Sequence, residues 1–294
     1  MKSLKSYIKD AEKRKVAIGH FNISDSAGLK AIFEAAKELS DQAGRQIPII
    51  IGLSDGERGF VGIRQAAAMV KNYQKENDYP IFLNSDHTHD PANIKKCVEA
   101  GFDAVLFDAG KLSLEENIQK TKDVVAWVRQ TKPKVLVEGE LGFIGASSVI
   151  LDKIPEGAAI REEDLTSPEQ VERFVGETGV DLIAPAVGNI HGMFKNAPNP
   201  NLSIERIRAL RKAGKTPIVL HGGSGIKDED FTAAIQAGVS IIHINTEIRR
   251  AWRQGIENAL KNNPEEVVPY KLLQGAIDEM KKVVFNRLKL FNRL

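Results

Sequence analysis

The sequence predicts an α/β protein, a (β/α)8 TIM barrel with an extra C-terminal helix. Three observations lead there. Eight short runs rich in β-branched and aliphatic residues recur along the 294-residue chain. Each is followed by a longer segment whose apolar residues repeat with helical spacing. Chemistry-bearing side chains gather at or just after the ends of these runs, where barrels carry their active sites.

The runs are Val16–Gly19, Ile47–Leu53, Pro80–Asn84, Asp103–Phe107, Lys134–Glu138, Asp181–Val187, Pro217–Leu220 and Val239–Ile244. Strands that alternate with helices argue for a parallel sheet. A count of eight favours a closed barrel over an open doubly wound sheet. Among the helical segments, Ser24–Leu39 carries Leu29, Ile32, Phe33, Ala36 and Leu39 on one face. Ser113–Val128 opens with the capping box Ser113-Leu-Glu-Glu116. Asp90-Pro91 sets a cap ahead of a first-turn proline. Gly101, Gly179, Gly214 and Gly238 each stand where a helix should end in a left-handed residue. Two stretches depart from the repeat: a long connection, Phe143–Leu165, and a terminal helix at about Tyr270–Leu290. We read 1–294 as a single domain whose helical extension covers about 264–294.

The apolar share of 42% supports a sizeable core, and the net charge of +2 comes from mixed acids and bases. Neither a nucleic-acid nor a membrane surface is expected. The basic stretch Lys281–Arg293 alternates with apolar residues and reads as a solvated helix face. A single cysteine, Cys97, excludes an intrachain disulfide and fits a reducing compartment. Met1–Gly19 lacks a signal-peptide core, and no apolar run reaches the ~18 residues of a membrane helix. A cytoplasmic protein is expected.

All six histidines fall in or just after strands: His20, His87, His89, His191, His221 and His243. One alone would read as structural. Three imidazoles with an open fourth position make a catalytic zinc site, a Lewis acid for a carbonyl. His221-Gly-Gly-Ser-Gly225, ahead of a helix start near Lys227-Asp228, offers small residues and backbone N–H groups to a phosphate. Lys195 is a further charge for that phosphate, or a solvated loop residue. Asp86, beside His87, reads as a general acid/base or as an orienter of an imidazole. Asp108 and Glu140 read as ligands of a second cation or as an ion-pair network. No strand carries a lysine except Lys134, at a strand's starting end, which argues against Schiff-base chemistry.

Asp86-His87, Gly101-Phe-Asp-Ala-Val-Leu-Phe-Asp108, Glu138-Gly-Glu-Leu-Gly142, Gly188-Asn-Ile-His-Gly192 and His221-Gly-Gly-Ser-Gly225 occur in order between about Val16 and Trp252. This series resembles the motifs of class II ketose-bisphosphate aldolases, the fructose- and tagatose-bisphosphate enzymes. The resemblance implies a zinc-dependent lyase of glycolysis or related carbohydrate metabolism. It would cleave fructose 1,6-bisphosphate, or else tagatose bisphosphate or another phosphorylated ketose, to dihydroxyacetone phosphate and an aldehyde such as glyceraldehyde 3-phosphate. It implies zinc on His87, His191 and His221, a second divalent cation at Asp108 and Glu140, and Asp86 as the group that moves the C4 hydroxyl proton. Gly192, Lys195, Gly222, Gly223 and Ser224 would hold the dihydroxyacetone phosphate end, with room for a monovalent cation. Asn22, Ser54, Asn245 and Thr246 match positions near the substrate. Arg249 matches a residue that reaches the far phosphate, often across a subunit interface, so a homodimer or homotetramer is implied.

The chain also departs from the family pattern. His243 stands where the family has an asparagine that touches the enediolate, and Asn245 replaces a residue linked to ketose choice. In the fifth loop Ala146-Ser147-Ser148 replace acidic residues, leaving Glu156, Glu162 and Glu163 as candidate loop carboxylates. His89 is extra to the pattern. Two other readings stay open: a zinc hydrolase built on His87-Thr-His89, and a non-catalytic sugar-phosphate-binding barrel.

Overall fold

A computed structural model describes residues 2–145, 148–153, 158, 160–195 and 199–294. The chain runs α1 (Leu4–Arg14), β1 (Ile18–Asn22), α2 (Ser26–Ala43), β2 (Ile49–Leu53), α3 (Asp55–Val61), α4 (Ile63–Asn77), β3 (Ile81–Thr88), α5 (Pro91–Ala100), β4 (Ala104–Phe107), α6 (Leu114–Thr131) and β5 (Leu136–Leu141). There follow β6 (Ile150–Leu151), a 3-10 turn at Glu162–Asp164, α7 (Pro168–Thr178), β7 (Leu182–Pro185), β8 (Met193–Phe194) and α8 (Ile204–Gly214). The last elements are β9 (Ile218–Leu220), α9 (Asp228–Ala237), β10 (Val239–Ile244), α10 (Thr246–Asn262) and α11 (Pro269–Asn292). Strands β1-β10-β9-β7-β5-β4-β3-β2 close a parallel barrel, and β6 pairs with β8 in a separate parallel ribbon. The expected (β/α)8 barrel with its terminal helix is therefore present. No described helix is long and apolar enough to cross a membrane.

Side chains alternate between the two faces of a strand, so the barrel has two separate apolar layers. Phe21, Ile51, Leu83, Val105, Val137, Ile183, Leu220 and Ile242 face outward into the shell of helices. Ile18, Ile50, Phe82, Ala104, Leu136, Leu182, Val219 and Ile241 form one buried interior layer. α1 caps that layer from below with Leu4, Ile8 and Ala11, started by Ser3, whose hydroxyl accepts from the Ser6 N–H. Two residues further along, the same alternation turns His20, Asn84, Glu138, His221 and His243 inward above the apolar floor.

Several boundaries differ from the sequence reading. β1 starts and ends later, so His20 and Asn22 lie within it, and β3 runs on to Thr88 instead of ending at Asn84. Both shifts occur because polar side chains that look like loop residues are buried at the barrel mouth. α1 was not anticipated. The capping box at Ser113 and the Asp90 cap are formed, and Gly101 and Gly179 are left-handed. Gly214 instead ends α8, and Lys215 takes the left-handed turn (φ 54°). Gly238 has φ 125°, outside the usual left-handed helical basin. On α11, Ala276, Ile277, Met280, Val284, Leu288 and Phe291 are buried while Lys281 pairs with Glu38 at the surface, as expected of an amphipathic face.

The most consequential irregularity is in β3. Between Ser85 and Thr88 its register against β4 slips by a residue, and His87 adopts φ 41°. Such a bulge leaves one residue unpaired and re-aims its neighbours. Asp86 and His87, adjacent in sequence, consequently open onto the same cavity. Arg58 of α3, only 4% exposed, fastens the bulge. Its Nη1 donates to the Asp86 carbonyl (2.8 Å) and to the Leu53 carbonyl, and its Nη2 to Thr88 Oγ1 (3.0 Å) and to Asp55. A planar guanidinium can serve several acceptors at fixed angles, which an ammonium cannot. Replacing Arg58 by Met should lower stability by about 2–4 kcal/mol, since it orphans buried acceptors of a charged donor. Arg58→Lys should recover less than half of that in urea unfolding. A methionine variant within about 0.5 kcal/mol of the parent would show that the bulge holds itself.

Candidate active site

The barrel mouth holds a cavity of about 280 Å³ joined to a narrower cleft, with Asp86, Ser148, His191 and Asn245 lining both. At their junction are three imidazoles. His87 comes from the β3 bulge, His191 from the loop after β7, and His221 from the residue after β9. One nitrogen from each lies within 4.8 Å of the others.

Hydrogen bonding settles which nitrogens face inward. His87 Nδ1 donates to Asp108 Oδ2 at 2.8 Å, and His221 Nε2 donates to Glu138 Oε1 at 2.8 Å. That leaves His87 Nε2 and His221 Nδ1 facing each other at 3.1 Å, with buried His191 Nε2 lacking a hydrogen-bond partner. A tetrahedral metal with nitrogens at about 2.0–2.1 Å keeps them ~3.3 Å apart, and carboxylates on the outer nitrogens are the usual support of such ligands. The three imidazoles therefore fit a metal ion. His87, Asp108 and Glu140 form a second group able to hold one.

The charges are strongly coupled. Burial works against a charge on His87, but Asp86, Asp108 and Glu140 together push its pKa up to about 10. Burial raises Asp86 and Asp108, yet His87 overcomes it, holding Asp86 well below the usual range and Asp108 at about 2. Burial, reinforced by Asp108, pushes Glu140 well above the usual range. Burial keeps His191 neutral, far below its usual value.

Asp86 is 3% exposed; its Oδ2 accepts from Asn22 Nδ2 (2.9 Å), and its Oδ1 has no hydrogen-bond partner. The same Asn22 amide donates to Glu57 Oε2 (2.8 Å), which also accepts from Ser54 Oγ (2.9 Å). Glu57 was missed in the sequence, although Ser54-x-x-Glu57 is a capping-box spacing. Arg249 lines the wide cavity, and its Nη2 donates to Glu57 Oε1 (2.7 Å) within the same chain.

The narrow cleft is lined by Gly192, Gly222, Gly223, Ser224, His243, Asn245 and Thr246. The helix whose first turn meets it is α10, not the expected helix at Lys227-Asp228. Ser224 Oγ accepts from the Asn245 and Glu247 N–H groups and so caps α10. Gly222 sits at φ 61°, and a Cβ there would meet the Ile190 carbonyl oxygen at 2.2 Å. Backbone dipoles and small residues of this kind suit an anion.

Other expected residues lie elsewhere. Lys195 is exposed and lines neither cavity. Its loop position, read without the β6–β8 ribbon, concealed this. Glu162 pairs with Arg206 and Glu163 with Arg161, both away from the cavities. Glu156, Ala146 and Ser147 lie outside the described residues. His89 lines the wide cavity, but its Nδ1 is bonded to the Asp108 carbonyl (3.0 Å) and it is not part of the three-imidazole group. The His87-x-His89 metal pair of a hydrolase is not formed.

The sequence model described as "Fructose-bisphosphate aldolase class-II" matches residues 2–293. Fructose-bisphosphate aldolase of Geobacillus stearothermophilus is 31% identical over 292 residues, covering 98% of this chain and 96% of that one. The 6-phospho-5-dehydro-2-deoxy-D-gluconate aldolase of Bacillus licheniformis is likewise 31% identical, covering 98% and 94%. The crystal structure of the YdjI aldolase from Escherichia coli K12 superimposes with a TM-score of 0.81 at 28% identity, covering 98% and 96%. With that match spanning nearly every residue of a barrel whose mouth holds these imidazoles and carboxylates, the chain belongs to the class II fructose-bisphosphate aldolase family of lyases.

Proposed function

We propose that this aldolase is zinc-dependent and reversibly cleaves fructose 1,6-bisphosphate to dihydroxyacetone phosphate and glyceraldehyde 3-phosphate, a step of glycolysis. The observation that carries the reading is the unpartnered Asp86 Oδ1 beside three converging imidazoles, next to a cleft whose small residues and backbone suit an anion. His87, His191 and His221 would hold the zinc, which supplies Lewis-acid polarisation of the ketose C2 carbonyl. Asp108 and Glu140, with His87, would take a second divalent cation. A monovalent cation would sit near the phosphate.

In this reading Gly192, Gly222, Gly223, Ser224 and Thr246 anchor the dihydroxyacetone phosphate end. Asp86, ionised and held by Asn22, takes the C4 hydroxyl proton. The C3–C4 bond breaks, its electron pair stays with the three-carbon fragment, and the aldehyde leaves into the wide cavity. Ser54 and Arg249 face that cavity and would meet the far phosphate. Asn245 lies between the two cavities, where it can influence which ketose epimer fits.

Parallel assays on fructose 1,6-bisphosphate and tagatose 1,6-bisphosphate, with and without EDTA, test the reading. Chelator-sensitive cleavage is expected, with fructose bisphosphate preferred. Chelator-insensitive cleavage would sink the metal route, and phosphate binding without turnover would favour a non-catalytic barrel. Asp86→Asn should lower kcat by about 10²–10⁴-fold, the usual worth of a general base, with little change in phosphate affinity. Zinc affinity should depend on pH. His87 is protonated in the metal-free protein up to about pH 10, and a ligand imidazole must be neutral, so loading releases a proton. The apparent association constant should then rise ~tenfold per pH unit across the neutral range. A pH-independent titration against a competing chelator would contradict this.

A cytoplasmic homodimer or homotetramer belongs to the same reading. Phe60 is 81% exposed and Val267 83%, apolar surface that an interface would cover. Sedimentation as a monomer at working concentration would remove the assembly.

A further inference from the structure

His20 and His243 are register partners on adjacent strands β1 and β10. Their rings stack with centroids 3.4 Å apart and planes 2° from parallel. His243 also packs on His221, at 3.8 Å. Room for the stack is made on β2, where a Cβ on Gly52 would lie 2.0 Å from His20 Cε1. Asn84 lies 3.1 Å from His20 Nε2 and tethers the far side of that ring.

His243 lies between the base and the phosphate cleft. Its Nδ1 is 3.4 Å from Asp86 Oδ1. That oxygen makes no hydrogen bond at this separation, but its negative charge beside Nδ1 favours the tautomer with the proton there, which leaves the other nitrogen an acceptor. That atom, Nε2, is buried without a hydrogen-bond partner on a residue that lines the narrow cleft. An unpaired buried polar atom costs stability unless a ligand completes it.

The geometry points to a coupled pair: His243 Nε2 accepts a hydrogen bond from a hydroxyl of the three-carbon phosphate fragment, and His20 is a positioning residue that fixes the plane of His243. The ligand's identity rests on the aldolase reading. The pair selects a phosphorylated ketone that carries a free hydroxyl over the same molecule without one.

The test is calorimetric binding of dihydroxyacetone phosphate and of hydroxyacetone phosphate, its deoxy analogue, to the zinc-loaded protein. The variants are His243→Ala, His20→Ala and the double replacement, each checked for folding and zinc content. His243→Ala should reduce the preference for the hydroxylated ligand by about tenfold, the worth of one hydrogen bond. His20→Ala should reduce it by a similar factor alone and by less than about twofold when His243 is already alanine, because groups that act through one another are not additive. If His20→Ala does not fold, His20→Asn, which keeps a polar contact to Asn84 and removes the stack, takes its place. Independent, multiplying effects would overturn the coupling. An unchanged preference in His243→Ala, or a wild-type protein that binds neither ligand, would overturn the assignment. Coupled discrimination without cleavage of any ketose bisphosphate would leave the pair standing and refute only the assigned reaction.

Discussion

Everything at the barrel mouth depends on one backbone departure, the bulge in β3. A regular strand sends adjacent side chains to opposite faces, so it could offer the site either Asp86 or His87. The extra residue between Ser85 and Thr88 lets it offer both. A left-handed backbone at a residue with a Cβ is costly, of order 1–3 kcal/mol, and persists only when its surroundings fix it. Arg58 does so through the Asp86 carbonyl and Thr88 Oγ1, with the Ser85 and Thr88 hydroxyls bonded to each other at 2.6 Å.

The rest of the barrel supplies the setting. The apolar interior layer and its α1 cap close the lower end of the barrel beneath the polar layer. Asp86, Asp108, Glu138 and Glu140 crowd around three imidazoles there, each with side-chain exposure of 12% or less. Buried carboxylates in that number need positive charge beside them or a proton of their own, which is why Glu140 is pushed well above the usual range. In the metal-free protein a proton on His87 answers part of the need, and a divalent cation would answer more of it. The outer carboxylates therefore support the imidazoles and also supply the negative surroundings that a cation between them would offset.

Much of this was legible in the sequence. The eight strand runs, the clustering of histidines and the glycine loop after the seventh strand of the barrel are local patterns, and each survives in the structure. The bulge was not legible, because it is defined by the register of β3 against β4 and nothing in Asn84-Ser85-Asp86-His87 marks it. Nothing in the sequence marks Arg58 and Glu57, among other charges, for burial; the fold buries them. α1 was overlooked even though Leu4, Ile8 and Ala11 share one helical face, because its packing surface is the barrel floor, far away in sequence. His20 and His243 are separated by most of the chain, and their stack follows from β1 meeting β10 where the sheet closes.

The same closure gives the terminal helix a task. The narrow cleft is made from the glycine loop and the first turn of α10. Ser224 bonds the second to the first, and Glu247 reaches back to the Gly225 N–H (2.9 Å). A carboxylate at that point, left uncovered, would disfavour any anion in the cleft. Arg287 of α11 covers Glu247 with two hydrogen bonds at 2.8 Å and extends to Asp228 of α9 (2.7 Å). α11 in turn lies against α10 so closely that a Cβ on Gly255 would sit 2.4 Å from the Ala276 Cα. The helix beyond the eightfold repeat thus covers the charge of Glu247 and ties down the turn that lines the narrow cleft, so the barrel mouth depends on an element outside the repeat.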